Sequence, residues 1–351
     1  MLRRCVKTTD SAIKEAAAIL SEGGLVAFPT ETVYGLGADA ANPAAVAGIY
    51  SAKGRPGDNP LILHIASPEV LFELTDSTGG YAQALIDNFW PGPLTLVVKK
   101  RPGLPPWLGG HPSGETETIG VRMPAHPVAL AFIEASGCVV AAPSANKAGT
   151  PSPTQAKHVE SDFADGSVGY ILDGGPVTCG VESTVVDVTG HLPVVLRPGA
   201  ITPKMITDVT GLDAVLAYST AKEGDAPRSP GMKYRHYAPK APMTLLLGAE
   251  EDIAVYISKQ TAESKSSRMG ILVTTQVAAK LNAKAVQAAN LLILGDKSAP
   301  ETIAKNLYAR LREFNAMGVD FIYAEGLVEE DLGIAIMDRM KKAAEGRVIH
   351  V

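Results

Sequence analysis

Between Leu25 and about Gly211, short apolar runs recur at intervals that leave room for a helix and little else. LVAFPT, LILHIA, PLTLVVKK, CVVAAPSAN, YILDGG, STVVDV and PVVLRPG have the length and branched-aliphatic content of buried strands. Amphipathic stretches predict helices at Asp10 to Glu22, Pro43 to Ala52, Tyr81 to Phe89, Pro127 to Ser136 and Thr154 to Phe163, several opened by an Asp, Asn, Ser or Thr. Such alternation predicts an α/β domain built on a mixed, twisted sheet.

From Tyr218 to Pro242 the texture changes: YSTAKEGDAPRSPGMKYRHYAPKAP holds four prolines and two glycines and has almost no apolar period. This reads as a linker, yet a passive spacer would be uniformly small or charged. This one concentrates Arg228, Lys233, Tyr234, Arg235, His236 and Tyr237, which suits a lid over a ligand. Beyond it, MTLLLG, GILVTT, LLILG and DFIYAEG alternate with helical stretches around Glu251 to Lys259, Gln276 to Ala285, Thr302 to Met317 and Ile334 to Ala344, predicting a smaller, Rossmann-like parallel-sheet domain. The expected division is therefore 1–217, a linker or lid at 218–242, and 243–351. A chain of 351 residues exceeds what one core usually holds, which favours two domains.

A net charge of −5 gives no general attraction to polyanions, and 5% aromatic residues leave few platforms for base stacking. Direct RNA binding is thereby disfavoured, though not decided. Cys5, Cys138 and Cys179 lie far apart without a CxxC pair, so neither a zinc ribbon nor a disulfide framework is expected, and buried thiols in a reducing compartment are the plain reading. No run has transmembrane length and no signal-peptide pattern opens the chain, so a cytoplasmic protein with no membrane association is expected.

The dipeptide Gly-Lys is absent, which excludes a P-loop, and HExxH, GxSxG and kinase signatures are missing too. What remains is a set of polar residues at strand ends, each beside Pro or Gly: PTETVYGLG from Pro29, AKGRPGDNPLILH from Ala52, ETIGVRMP from Glu117, APSANKAGTPSPT from Ala142, GVESTVVD from Gly180 and LRPG from Leu196. Singly, each has a structural explanation. Together, Lys53, Arg55, Arg122 and Arg197 among Ser, Thr and Asn donors make an anion-binding inventory, with guanidinium forks for carboxylate or phosphate and a lysine point charge. Chemistry that runs on positioning and charge stabilisation, as in transfer at phosphorus, needs no nucleophilic serine or cysteine.

The order KGRP, VRMP, SAN, ESTVVD, LRPG over roughly residues 10 to 210 resembles the YrdC-like family of threonylcarbamoyl-AMP synthases. SPGMKYRHYAP and the following α/β domain resemble its long form. The resemblance implies that L-threonine, bicarbonate and ATP, with Mg²⁺ and no organic cofactor, yield threonylcarbamoyl-adenylate and pyrophosphate for the modification of adenosine 37 in tRNA, with transfer left to a downstream threonylcarbamoyl-transferase. It further implies that Lys53, Arg55, Thr118, Ser144, Asn146, Ser152, Arg197 and Tyr237 bind ATP, and that Thr32, His64, Arg122 and Ser183 hold threonine. Lys53 and Arg55 would act by charge stabilisation, as exposed loop residues. Metal ligands stay unassigned. Ala148 departs from the serine common after SAN. Two rivals remain: an RNA-binding module, and a carbamoyl-phosphate-using maturation factor, whose acylphosphatase and zinc-finger segments this chain lacks.

Overall fold

A computed structural model describes residues 4–108, 117–217, 237–263, 268–288 and 290–351. Contacts divide the chain into two compact units: Met1–Ala148, Ser152–Thr178 and Glu182–Lys233 form the first, and Gly149–Pro151, Cys179–Val181 and Tyr234–Val351 the second. Two short loop segments of the amino-terminal sequence thus group with the carboxyl-terminal residues. The expected lid falls largely on 218–236, outside the described residues.

Among the described residues the first unit carries eleven strands: β1 (Arg4–Lys7), β2 (Val26–Phe28), β3 (Gly35–Asp39), β4 (Ile62–His64), β5 (Leu94–Lys99), β6 (Thr118–Arg122), β7 (Val140–Ala142), β8 (Tyr170–Asp173), β9 (Thr184–Asp187), β10 (Val194–Arg197) and β11 (Val215–Leu216). They form one sheet in the order β1-β8-β2-β3-β7-β4-β6-β5-β9-β10-β11. Parallel pairs such as β4–β6 and β5–β9 sit beside antiparallel pairs such as β5–β6 and β3–β7, which is the mixed sheet expected.

Alternation along the strands sends neighbours to opposite faces. Val26 and Phe28 join one cluster with Phe132, Val140 and Ala142, covered by the helices Asp10–Ser21 and Pro127–Ser136. Ala27 and Ala141 join the other, with Leu36, Ile49, Leu63, Leu94 and Val121. Strand β3 was not foreseen, because two glycines weaken the strand signal. They are required there: a Cβ on Gly35 or Gly37 would meet the Phe28 ring at 3.0 Å.

The helix Pro43–Lys53 shows how local chemistry places a functional residue. Asn42 caps its first turn through Oδ1, Pro43 occupies the first helical position, and Gly54 at φ 62° turns the chain out of it. Lys53 is therefore the last helical residue rather than part of a loop.

In the second unit, β12 (Met243–Leu247), β13 (Met269–Val273), β14 (Asn290–Ile293), β15 (Phe321–Glu325) and β16 (Val348–His350) pair in parallel in the order β14-β13-β15-β12-β16, the Rossmann-like sheet expected. Glu250–Glu263, Pro300–Met317 and Leu332–Ala343 are its longer helices. The single helix expected over Gln276 to Ala285 is two, Thr275–Ala278 and Ala283–Ala288, since the Asn282 side chain accepts from the Ala285 N–H and starts a new helix. None of the three thiols is fully buried: Cys5 is exposed, Cys138 and Cys179 half-buried. That corrects the expectation of buried cysteines.

Candidate active site

Sheet register brings the two strongest threonine candidates side by side, because parallel pairing of β4 with β6 sets His64 opposite Arg122. Both are buried, as is Thr32. Arg122 Nη1 donates to Thr32 Oγ1 at 3.0 Å, Nε to Gly92 O at 3.2 Å, and Nη2 to Glu31 Oε1 at 2.6 Å. Thr30 Oγ1 lies 2.9 Å from Thr32 Oγ1 and donates to Val33 O, so the PTETV turn is tied from within. His64 is held neutral: burial first, then the Arg122 cation, push its pKa down to about 3, while Nδ1 lies 3.1 Å from Ile62 O.

The phosphate candidates gather around Lys53. This side chain is only 3% exposed, which corrects the expectation of an exposed loop residue. Its ammonium donates to the backbone carbonyls of Ser144 and Asn146. In return Ala148 N donates to Lys53 O at 2.8 Å. Ser144 Oγ donates to Asn146 Oδ1, and the Gly35–Ser144 bridge fastens the same loop to the edge of β3. Arg55 is half-buried and folds onto the chain just ahead, Nε to Asn59 O at 3.1 Å and Nη2 to Pro60 O at 2.8 Å.

A third group forms where β9 and β10 pair with a shift in register. Arg197 Nη2 donates to Ser183 Oγ at 3.0 Å and Nε to Ser183 O at 3.1 Å, while Thr95 Oγ1 lies 2.8 Å from the same hydroxyl. Gly199 makes this close approach possible, since a Cβ there would fall 2.4 Å from Thr184 N. Ser152 Oγ donates to buried Glu182 Oε1 at 2.6 Å.

Two expected residues stand apart. Thr118 opens β6 while Arg122 closes it, roughly 13 Å away at the usual rise per strand residue. Tyr237 belongs to the second unit, where it adopts φ 64° and its ring stacks on Tyr308 at 5.3 Å with the Arg339 guanidinium 5.6 Å from its centre. Sequence reading missed Glu31, Glu182 and Thr95, although the first two lie inside segments it singled out.

Among the described residues no group of three or more His, Cys, Asp or Glu side chains is arranged to hold a metal ion. No helix among them is long and apolar enough to cross a membrane.

The neutral His64 has a consequence for stability. Below pH 6.5 the unfolded chain takes up a proton that the native site refuses, so stability should fall as pH drops from 6.5 toward 3, by up to about 1.4 kcal/mol per pH unit from this residue. Urea midpoints between pH 6.5 and 5 should show a shallower slope for His64→Gln than for the parent. His126, also lowered by burial, contributes equally to both proteins. Identical slopes would mean that His64 is not the residue refusing the proton.

Buried cations at strand ends and glycine-fastened loops mark the first unit as an α/β catalytic domain, and the second unit is Rossmann-like. The family pattern described as "Telomere recombination" matches residues 18–199, and that described as "Threonylcarbamoyl-AMP synthase, C-terminal domain" matches residues 201–345. Threonylcarbamoyl-AMP synthase of Bacillus subtilis is 46% identical over 344 residues, 98% of this chain and 96% of that one. Its Pyrococcus abyssi counterpart is 44% identical over 97% of this chain and 96% of that one. The crystal structure of P. abyssi Sua5 complexed with L-threonine superposes with a TM-score of 0.88 at 43% identity, covering 100% of both chains. The chain belongs to the threonylcarbamoyl-AMP synthase family, in its two-domain form.

Proposed function

We propose that this protein is an L-threonylcarbamoyladenylate synthase, which joins L-threonine, bicarbonate and ATP into threonylcarbamoyl-AMP and releases pyrophosphate. The observation that carries this reading is a buried guanidinium, Arg122, set beside Thr32 and a neutral His64 within the same domain as the Lys53–Ser144–Asn146 cluster. Likeness to a protein crystallised with L-threonine supports it. In this reading Arg122 takes the threonine carboxylate, with Thr32, His64 and Ser183 around the rest of the amino acid. Lys53, Arg55, Ser144, Asn146, Thr118, Ser152 and Arg197 hold ATP.

The threonine ammonium loses a proton to water, and the freed amine bonds to the carbon of bicarbonate as a C–O bond breaks; the hydroxide that leaves takes an amine proton and departs as water. An oxygen of the resulting carbamate then bonds to the α-phosphorus as the bond to pyrophosphate breaks. Lys53 and Arg55 offset the charge that develops on the phosphates. Magnesium would arrive with ATP, held by phosphate oxygens and water. The product supplies a separate transferase that modifies tRNA, in the cytoplasm.

Pyrophosphate release from ATP and bicarbonate, measured with each amino acid in turn, tests the reading. L-threonine should be fastest, with serine, which lacks one methyl group, slower by about 10- to 200-fold in kcat/KM. Release that ignores the amino acid would refute it.

A further inference from the structure

Arg122 and Glu31 form an ion pair of unusual cost. Side-chain exposure is 5% for the arginine and 9% for the glutamate, so both charges have left water. Pairs this deeply buried commonly contribute no net stability, because desolvation offsets their attraction. Glu31 carries a second liability: Oε2 is buried and has no hydrogen-bond partner among the described residues. An ionised acceptor left unmatched costs more than an ordinary missing hydrogen bond. Its backbone is nonetheless fixed, with Thr178 N donating to Glu31 O at 3.2 Å. The residue is thus held in place with half of its carboxylate unused.

The arginine is also incompletely used. A guanidinium has five N–H donors. The bonds to Gly92, Thr32 and Glu31 take one each from Nε, Nη1 and Nη2, which leaves two for a ligand. Arg122 can therefore keep Glu31 and still grip a carboxylate.

We infer that Glu31 is the acceptor for the α-ammonium group of the amino-acid substrate, so that Glu31 and Arg122 together present a charge pair complementary to a zwitterion. This rests on the threonine-adenylating function proposed above. An α-amino acid places its ammonium two bonds from its carboxylate carbon, and the salt bridge holds the two protein charges comparably close. A ligand seated on the Arg122 N–H groups brings its ammonium to the neighbouring carboxylate, where Oε2 lacks a donor. The pair then selects for α-amino acids over hydroxy acids of the same length, and fixes the nitrogen that must meet bicarbonate. Glu31 is a substrate-positioning residue in this scheme: it seats the ammonium form, which gives up a proton to water before its nitrogen lone pair bonds to bicarbonate.

Calorimetric titration separates the possibilities. The ligands are L-threonine and (R)-3-hydroxybutanoate, which is threonine with hydrogen in place of the α-ammonium. The parent protein should bind threonine at least about tenfold more tightly, the lower end of what a charge-assisted hydrogen bond supplies. Glu31→Gln keeps the shape and an oxygen for Arg122 but loses the charge. It should lose about tenfold or more for threonine, change less than about threefold for (R)-3-hydroxybutanoate, and raise KM for threonine while KM for ATP stays within about twofold. Equal weakening toward both ligands would mean that Glu31 only props Arg122, and the inference fails. Equal binding of both ligands by the parent overturns it without any variant, even if Glu31→Gln does not fold. If the parent binds neither ligand, the functional reading fails first and takes the inference with it. Preferential threonine binding by the parent, with that preference lost in Glu31→Gln, supports both.

Discussion

Replacing Arg122 with methionine should lower folding stability by about 3–5 kcal/mol and abolish threonine-dependent pyrophosphate release, the first because Glu31 is left buried without its counter-charge. Adding Glu31→Gln to Arg122→Met removes the stranded charge. The double variant should regain most of the stability and none of the activity, which separates the structural cost of the pair from its use. Arg122→Lys gives an intermediate result: the charge survives, but a point charge cannot fork a carboxylate, so KM for threonine rises while the fold is largely retained. Urea unfolding at pH 7.5 and pyrophosphate release decide the matter. Stability of Arg122→Met within about 1 kcal/mol of the parent would contradict the burial of the pair.

That pair also marks where sequence reading ran out. Arg122 was legible, because an arginine after a short apolar run and before Met-Pro stands at a strand end among anion-binding segments. Glu31 was passed over within a segment quoted for its threonine. Its importance depends on a contact 91 positions away, created by the pairing of β4 with β6 and by the turn that carries Thr32. Periodicity reports faces of an element; it does not report which elements become neighbours. Lys53 is the opposite case. Its motif was recognised and its surroundings were not, because a lysine beside Gly-Arg-Pro looks solvated until the left-handed Gly54 and the loop of Ser144 and Asn146 enclose it. The helix pair at Thr275–Ala278 and Ala283–Ala288 was read as one because the cap at Asn282 competes with a continuous apolar pattern.

Lys53→Met should reduce pyrophosphate release by about a hundredfold or more while costing about 1–3 kcal/mol of stability. The stability term follows from geometry. The ammonium of Lys53 is a donor to two backbone carbonyls, those of Ser144 and Asn146, inside a site where the residue is 3% exposed. A thioether of similar length fills the space and supplies no donor, so those carbonyls lose a charge-assisted partner. Placement at the last residue of the helix Pro43–Lys53 adds a smaller loss, since a cation there complements the helix dipole. The activity term follows from what the clamp holds. With the ammonium gone, the loop loses its side-chain tie from Lys53 but keeps the backbone bond from Ala148 N to Lys53 O, so the Ser144 hydroxyl and Asn146 amide are held less firmly, in addition to the missing positive charge beside the phosphates. Lys53→Arg keeps the charge but forces a wider, planar head between two carbonyls, and should recover less than about a tenth of the parent rate. Urea unfolding, KM for ATP and pyrophosphate release on the folded fraction test both variants. Near-parental turnover by folded Lys53→Met, with only its stability reduced, would make Lys53 a strut for the Ser144–Asn146 loop and remove it from the nucleotide site.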